Sequence, residues 1–135
     1  MNYEDIKVGD RAQVTKAFSA EDVANFAELS TDKNPIHLDK EYAEKTFFKK
    51  NIVHGILVSS LISSALGTQL PGEGSIYMSQ ELKFLKPVYI GEECTAEVEV
   101  LSKRDDKQII VMKTTVTTNN GQTEVISGQA VMKKL

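Results

Sequence analysis

The spacing of apolar and polar residues predicts one strand and two helices in the first third of the chain. Residues 11–18 mix apolar and polar side chains in the manner of a strand. Ser19 and Asp22 have the spacing of a capping box, so we expect a helix to start at Ser19. Its apolar face follows at helical intervals: Val23, Phe26 and Ala27. The helix should end before Pro35, because the residue preceding a proline disfavours helical backbone, and Asp39 is placed to cap a second, short helix.

Residues 56–69 predict the central helix of the fold. The apolar residues of this segment are too many for a single narrow stripe: Ile56, Leu57, Leu61, Ile62, Ala65 and Leu66. The polar positions between them carry only small residues, which allow a close approach to the helix backbone: Ser59, Ser60, Ser63, Ser64 and Gly67. A helix that is apolar on nearly every side is typical of a protein core.

The second half of the chain is rich in strands. Strand-like segments cover residues 76–86, 95–100, 108–118 and 122–133. Asn120-Gly121 between the last two segments is typical of a type I′ hairpin turn. One buried helix with a strand before it and several antiparallel strands after it predicts an α+β protein. We expect the hot-dog fold, in which an antiparallel sheet wraps around a long central helix. An exposed sheet edge in such a fold favours a homodimer joined edge to edge.

Length and composition narrow the class of protein. The 135 residues predict a single domain. The formal net charge of −3 does not indicate a surface that binds nucleic acid. The only cysteine, Cys94, cannot form an intrachain disulfide, which favours a reducing cytoplasm. The acidic start of the chain lacks the features of a signal peptide, and the most apolar stretch, Ile56 to Leu66, is too short to span a bilayer.

The segment from Asp32 to His37 is the strongest candidate in the sequence for a catalytic site. Pro35 prevents a continuous helix, so a compact loop brings the carboxylate and the imidazole together. Such a pair suits general acid–base catalysis near neutral pH. The structural alternative is that Asp32 caps a turn while His37 packs, and composition alone favours it because Asx turns are common.

A second candidate site is the chain around Gly55, directly before the central helix. Unpaired N–H groups and the positive end of the helix dipole meet here, so an oxyanion can be stabilised. The alternative is that Gly55 only eases the chain into the helix. For His54, a hydrogen-bonding role is favoured over that of a metal ligand.

The sequence lacks the motifs that are typical of several other kinds of functional site. Two histidines seventeen positions apart, without a nearby cysteine, make no zinc signature. The chain contains no G-x-S-x-G nucleophile elbow and neither of the glycine-rich phosphate motifs. Cys94 is expected at a core or edge position.

The motifs together resemble the MaoC-like hydratases, and in particular the (R)-specific enoyl-CoA hydratases of the single hot-dog type. The resemblance covers essentially the whole chain, residues 1–135. The Asp-x-Asn-Pro-x-His block followed by His-Gly is its specific part. The quoted positions are Asp32, Asn34, Pro35, His37, Asp39, Tyr42, Ala43, Phe48, Ile52 to Gly55, Pro71, Gly72, Gly74, Ile76, Tyr77, Gln80, Phe84, Pro87, Val88 and Gly91.

The resemblance implies roles for individual residues. Asp32 and His37 match the catalytic pair, and Gly55 matches the residue whose N–H polarises the thioester carbonyl. Ser63 matches a serine beside the acyl pocket. Two further acyl-pocket candidates lie about one helical turn away: Leu66 and Gly67. The resemblance implies a homodimer with the active site near its interface, no metal, and no cofactor beyond the coenzyme A of the substrate.

The implied reaction is the reversible syn addition of water to trans-2-enoyl-CoA, giving (R)-3-hydroxyacyl-CoA. Three alternatives stay open. The first is a dehydratase that runs the same chemistry in reverse or acts on acyl carrier protein. The second is a hot-dog acyl-CoA thioesterase, and the third is a non-catalytic module that binds acyl-CoA.

Overall fold

A five-stranded antiparallel sheet forms the frame of the protein. The structure is a computed structural model that describes residues 1–135. The strands are β1 (Arg11–Ala17), β2 (Ser75–Phe84), β3 (Glu93–Arg104), β4 (Ile109–Thr118) and β5 (Thr123–Lys134). Their order across the sheet is β1-β3-β4-β5-β2, and every neighbouring pair is antiparallel. The predicted strands are therefore confirmed, although β3 is longer at both ends than residues 95–100.

Four helices precede β2. They are α1 (Ala20–Ser30), α2 (Pro35–Leu38), α3 (Lys40–Glu44) and α4 (Gly55–Thr68), and a 3₁₀ turn spans Tyr3–Asp5. The capping box at the start of α1 is confirmed, since Ser19 and Asp22 bond to each other's backbone N–H groups at 3.1 and 2.9 Å. Asp39 caps α3 as predicted, by accepting the N–H of Tyr42 at 3.1 Å.

The short helix α2 differs from the predicted loop. Its first residue is Pro35, whose fixed φ fits the first helical position and whose missing N–H has no partner to lose there. The side chain of Asn34 caps the turn by accepting the N–H of Ile36 at 3.3 Å. The proline thus begins a helical turn, whereas α1 has already ended at Ser30.

The helix α4 packs lengthwise against the concave face of the sheet. Its buried residues are Val58, Leu61, Ile62, Ala65 and Leu66. The sheet meets them with a layer of alternate residues: Ala96, Val98, Val100, Ile110, Met112, Val116, Ile126, Ala130 and Met132. This layer confirms the predicted inward face of β3 and β5, and it makes α4 the centre of the core.

One side of α4 stays exposed, which differs from the predicted burial on nearly every side. The exposed residues recur along a stripe: Ile56, Ser60, Ser63 and Gly67. Ile56 is 58% exposed because no other element of this chain covers that side of the helix. The small residues predicted for close approach therefore lie along an open surface.

The outer strand β2 also presents apolar side chains to solvent. They are Ile76, Tyr77, Met78 and Phe84, and Leu85 follows directly after the strand. β2 lies at one edge of the sheet, so its outer backbone groups have no partner strand. A long apolar edge of this kind is a ready template for pairing with another chain.

The hairpin turn and the cysteine follow the sequence predictions. Asn120 and Gly121 have φ of 55° and 86°, and the N–H of Gln122 bonds to the carbonyl of Asn119 at 3.1 Å, as in a type I′ turn. Cys94 is fully buried in the core. Burial, with the charges of two neighbouring glutamates, raises the pKa of its thiol to about 11.

Gly128 lets β2 curl tightly over β5. A Cβ atom at this position would lie 1.8 Å from the carbonyl oxygen of Glu81, a backbone atom of β2. Gly128 is paired with Leu82 on one side and Thr114 on the other, so the crowding falls between the edge strand β2 and its neighbour β5. The wrap of the sheet around α4 therefore depends on the missing side chain.

We expect Gly128→Ala to lower the free energy of unfolding by about 3 kcal/mol or more, because the methyl group must displace backbone. The matched control is Gly67→Ala, where no atom outside the helix's own backbone lies within 4 Å of the added carbon. An alanine in the helix should stabilise by about 0.5–1 kcal/mol. Urea unfolding of both variants measures the difference, and equal stabilities would contradict the role of Gly128.

Candidate active site

The loop after α1 fixes the carboxylate of Asp32. α1 ends at Thr31, which has a left-handed φ of 66° and turns the chain. The N–H of Asp32 donates to Ser30 Oγ at 3.1 Å, and Asp32 Oδ1 accepts the N–H of Asn34 at 3.2 Å. Asp32 therefore caps a turn, as in the structural alternative considered for the sequence. Its second carboxylate oxygen takes no part in that turn.

The ring of His37 is oriented by the backbone of the segment before α4. Its Nδ1 lies 2.7 Å from the carbonyl oxygen of Ile52. A carbonyl only accepts, so Nδ1 carries the hydrogen and the lone pair of the neutral ring is on Nε2. The pKa of His37 lies below its usual value of 6.5, mainly because the ring is half-buried. The nearby His54 lowers it further, whereas the bond to Ile52 and the charge of Asp32 oppose the shift.

His54 is buried behind the pair. Its Nε2 donates to the backbone carbonyl of Asp32 at 2.9 Å, which holds the loop in place. Its ring stacks on that of His37 with 3.8 Å between centroids, and Phe26 packs edge-on at 4.8 Å. His54 is thus a hydrogen-bonding residue, as favoured from the sequence. Its Nδ1 is buried and has no partner.

The structure brings the predicted pair together. A carboxylate oxygen of Asp32 and one ring nitrogen each of His37 and His54 lie within 4.8 Å of one another. A water molecule that bonds to both members of the pair fits this spacing, because each bond needs about 2.8 Å. The arrangement suits acid–base chemistry on one bound water.

The same three side chains are poorly arranged for a metal ion. The two imidazole planes are stacked at 26° to each other, so their in-plane lone pairs project side by side and do not converge. The Nε2 of His54 is already used by the carbonyl of Asp32. The geometry therefore favours the acid–base interpretation over a metal site.

The start of α4 offers unpaired N–H groups next to the pair. The first bond within the helix runs from Val58 N–H to the carbonyl of His54 at 3.0 Å, and no side chain caps the helix. The N–H groups of Gly55, Ile56 and Leu57 precede that bond. They form the positive end of the helix dipole, where a developing negative charge is stabilised.

Gly55 leaves room for the ring of Phe84, a contact that the sequence did not indicate. A Cβ at this position would lie 2.7 Å from two ring carbons of Phe84. The close approach of Phe84 forms one wall of a cavity of about 310 Å³ that also contains Phe48, Ile52 and Pro87. An apolar cavity therefore opens directly beside the helix N-terminus.

The acyl-pocket candidates are spread over α4. Ser63 and Gly67 are exposed and Leu66 is fully buried. None of the three lines the cavity beside Gly55. A second apolar cavity of about 320 Å³ lies between α1 and α4, on a different side of the helix, and its wall includes Leu61 and Ser64. The roles of Ser63, Leu66 and Gly67 stay predictions.

Comparison with known proteins settles the family. Residues 4–122 match the profile described as "MaoC like domain". The chain belongs to this MaoC-like family. It is 49% identical over 133 residues to an (R)-specific enoyl-CoA hydratase of Aeromonas caviae, with 98% of each chain covered. A mitochondrial 3-hydroxyacyl-[acyl-carrier-protein] dehydratase of Arabidopsis thaliana is 40% identical, over 93% of this chain and 75% of the relative.

The solved structures confirm the hot-dog fold. An (R)-hydratase of A. caviae involved in PHA biosynthesis superposes with a TM-score of 0.94 at 48% identity, covering 98% of this MaoC-like chain and 99% of that one. An unliganded R-hydratase of Pseudomonas aeruginosa gives 0.92 at 40% identity, over 99% and 86% of the two chains. None of the helices has the length and apolar character that crossing a membrane requires.

We expect His37 to titrate below pH 6.5 in the folded protein. Because the unfolded chain then binds the proton more readily, stability should rise as the pH increases from the folded pKa towards 6.5. Histidine resonances followed by NMR across a pH series measure the folded value. The matched variant His54→Gln should raise it, since His54 lowers the pKa of His37. A wild-type value at or above 6.5 would contradict the burial argument.

Proposed function

We propose that this MaoC-like protein is an (R)-specific enoyl-CoA hydratase. As a hydro-lyase it adds water reversibly to trans-2-enoyl-CoA and forms (R)-3-hydroxyacyl-CoA. The observation that carries the proposal is the cluster of Asp32, His37 and His54, whose side-chain atoms lie within 4.8 Å of one another directly before the uncapped start of α4. The names and close similarity of the hydratases of A. caviae and P. aeruginosa support the same reaction.

The thioester carbonyl is polarised by the start of α4. Its oxygen accepts the N–H of Gly55, where the helix dipole favours negative charge. This contact withdraws electrons from the conjugated double bond and makes C3 electrophilic. When oxygen attacks C3, the electron pair of the double bond moves to form an enolate, whose oxygen is stabilised by the same N–H group.

Asp32 and His37 hold the attacking water and handle its protons. One of the two groups takes a proton from the water as the oxygen bonds to C3, and a proton is returned to C2 on the same face. The half-buried His37 stays neutral at physiological pH and keeps its Nε2 lone pair available. The two groups act as one unit on the bound water. The pair needs no metal and no cofactor beyond the coenzyme A of the substrate.

The active form in this proposal is a homodimer. The apolar outer edge of β2 and the exposed stripe of α4 support it, because both surfaces lack a cover within the chain. The whole chain, residues 1–135, then acts as one hot-dog domain in each subunit. A reducing compartment such as the cytoplasm suits the single buried thiol of Cys94.

A second candidate runs the same chemistry on another carrier. The plant relative is named for dehydration of a 3-hydroxyacyl group on acyl carrier protein.

An assay of trans-2-enoyl-CoA substrates of graded chain length, with chiral analysis of the product, tests the main proposal. Parallel reactions with the acyl group on acyl carrier protein test the alternative. Release of free thiol would favour a thioesterase, and binding without turnover would favour a non-catalytic module.

We expect Asp32→Asn and His37→Gln each to lower kcat/KM for trans-2-enoyl-CoA hydration by about 10²–10⁴-fold, because each removes a proton-transfer group. Loss of the conjugated thioester absorbance measures the rate. The control is Asp106→Asn, an exposed carboxylate paired only with Arg104. Folded variants with wild-type hydration would overturn the catalytic assignment.

Gly55 allows a matched pair of substitutions. Gly55→Ala and Gly55→Pro add the same Cβ against Phe84, but only the proline removes the N–H. Proline suits this first helical position, and His54 already has the extended φ and ψ of −54° and 129° that a following proline requires. We expect the proline variant to lose a further 10²–10³-fold in kcat, about 2.7–4 kcal/mol. Equal rates in the two variants would exclude the N–H from the reaction.

The acyl pocket is tested with two neighbouring serines of α4. We expect Ser63→Leu to shorten the acyl chain that is accepted, because the resemblance implies that this serine lies beside the acyl pocket. Ser64→Leu is the comparison, since Ser64 lines the other cavity, between α1 and α4. A chain-length profile that changes only in Ser64→Leu would show that the pocket lies on that side.

A further inference from the structure

A basic cavity lies next to the active site and takes no part in the mechanism above. It has a volume of about 250 Å³ and lies between α3 and the segment that leads to α4. Three of its lining residues are lysines, Lys40, Lys49 and Lys50. The other residues that matter are Asn51 and Tyr89.

The cavity is positive in a protein that is negative overall. Residues 40–50 contain four lysines and two glutamates, a balance of +2, whereas the whole chain carries −3. None of the five ion pairs in the structure involves Lys40, Lys49 or Lys50. Glu44 is the one acidic residue in the lining, so three ammonium groups face a single carboxylate.

The backbone that presents the lysines is held in place. Lys49 has a left-handed φ of 68°, a region that lysine seldom adopts. The hydroxyl of Tyr89 donates to the carbonyl of Phe48 at 3.1 Å and secures this turn. The ammonium of Lys50 lies 4.9 Å from the centre of the Tyr89 ring, so one aromatic residue supports both the turn and the side chain.

The basic cavity is connected directly to the catalytic residues. Asn51 Nδ2 donates to the carbonyls of Ile36 and Asp39, at 2.9 and 3.1 Å, and so joins the segment to α2. The next residue, Ile52, holds the ring of His37 through its carbonyl. A substrate that reacts at His37 therefore has this group of positive charges within the same stretch of chain.

We propose that Lys40, Lys49 and Lys50 bind the phosphate groups of the coenzyme A thioester. The inference rests on the proposed hydratase function and extends it to the recognition of the carrier. Coenzyme A carries a diphosphate and a 3′-phosphate at the end remote from the reacting acyl group. Lysine ammonium groups bind phosphate as point charges, and several together favour a multiply charged anion.

Another nearby cavity is less suited to phosphate. It has a volume of about 510 Å³ and contains one lysine, Lys86, which also lines the cavity beside Gly55. Glu92 and Glu93 lie in the same lining, so its charges oppose an anion. The three-lysine cavity is therefore the better phosphate site.

The test compares two substrates that differ in their phosphates. Hydration of trans-2-butenoyl-CoA and of trans-2-butenoyl-pantetheine, which has no phosphate, is measured with the full-length protein. The test variant is Lys49→Gln/Lys50→Gln. The control is Lys107→Gln/Lys113→Gln, two exposed lysines outside this cavity, and Lys86→Gln tests the acidic cavity.

We expect the test variant to raise KM for the CoA substrate about tenfold, with kcat within twofold of wild type. Its kcat/KM for the pantetheine substrate should stay within twofold of wild type, and the control should match wild type on both. An unchanged KM for the CoA substrate, an equal loss on both substrates, or the effect in Lys86→Gln alone would overturn the inference. Failure of the wild type to hydrate either substrate would instead overturn the proposed function.

Discussion

Burial of α4 against the concave face of the sheet is the constraint on which the rest of the structure depends. A layer of alternate residues from β3, β4 and β5 holds the helix in one position. The start of the helix, with its unpaired N–H groups, is then fixed at one end of the fold. The site forms where the segment between Ser30 and Gly55 folds back over this end of the helix.

The two histidines have different roles in ordering the site. His54 anchors the backbone of Asp32, and its ring supports the ring of His37. The carbonyl of Ile52 then selects the tautomer of His37. Burial keeps the pKa of His37 low, so the same packing that orients the ring also keeps it neutral. Position and protonation state therefore share one physical cause.

Features that depend on neighbouring side chains were predictable from the sequence. The capping box of Ser19, the cap of Asp39 and the turn at Asn120-Gly121 all formed as expected. The alternation of β3 also identified the face that packs on α4. The resemblance identified Asp32 and His37, and the structure placed them within reach of one water.

Features that depend on backbone atoms or on distant contacts were not predictable. The ring of His37 is oriented by a backbone carbonyl, that of Ile52, and every residue has such a group. The sequence therefore could not indicate the orientation of His37. The contact of Phe84 with Gly55 joins positions far apart in the chain and appears only after β2 curls. The exposed side of α4 was also missed, because an apolar pattern indicates burial without showing which sides of the helix the rest of the chain covers.

The attachment of the site segment has a consequence for local stability. The loop that carries Asp32 and His37 lies outside the sheet. Near its end it is bonded to the connection between β2 and β3, through Val53 to Val88 and Tyr89 to Phe48. Local opening of such a segment needs less free energy than unfolding of the core. Amide hydrogens around α2 should therefore exchange while those of β4 remain protected. The arrangement of Asp32 and His37 can then be lost and regained by local opening while the sheet stays folded.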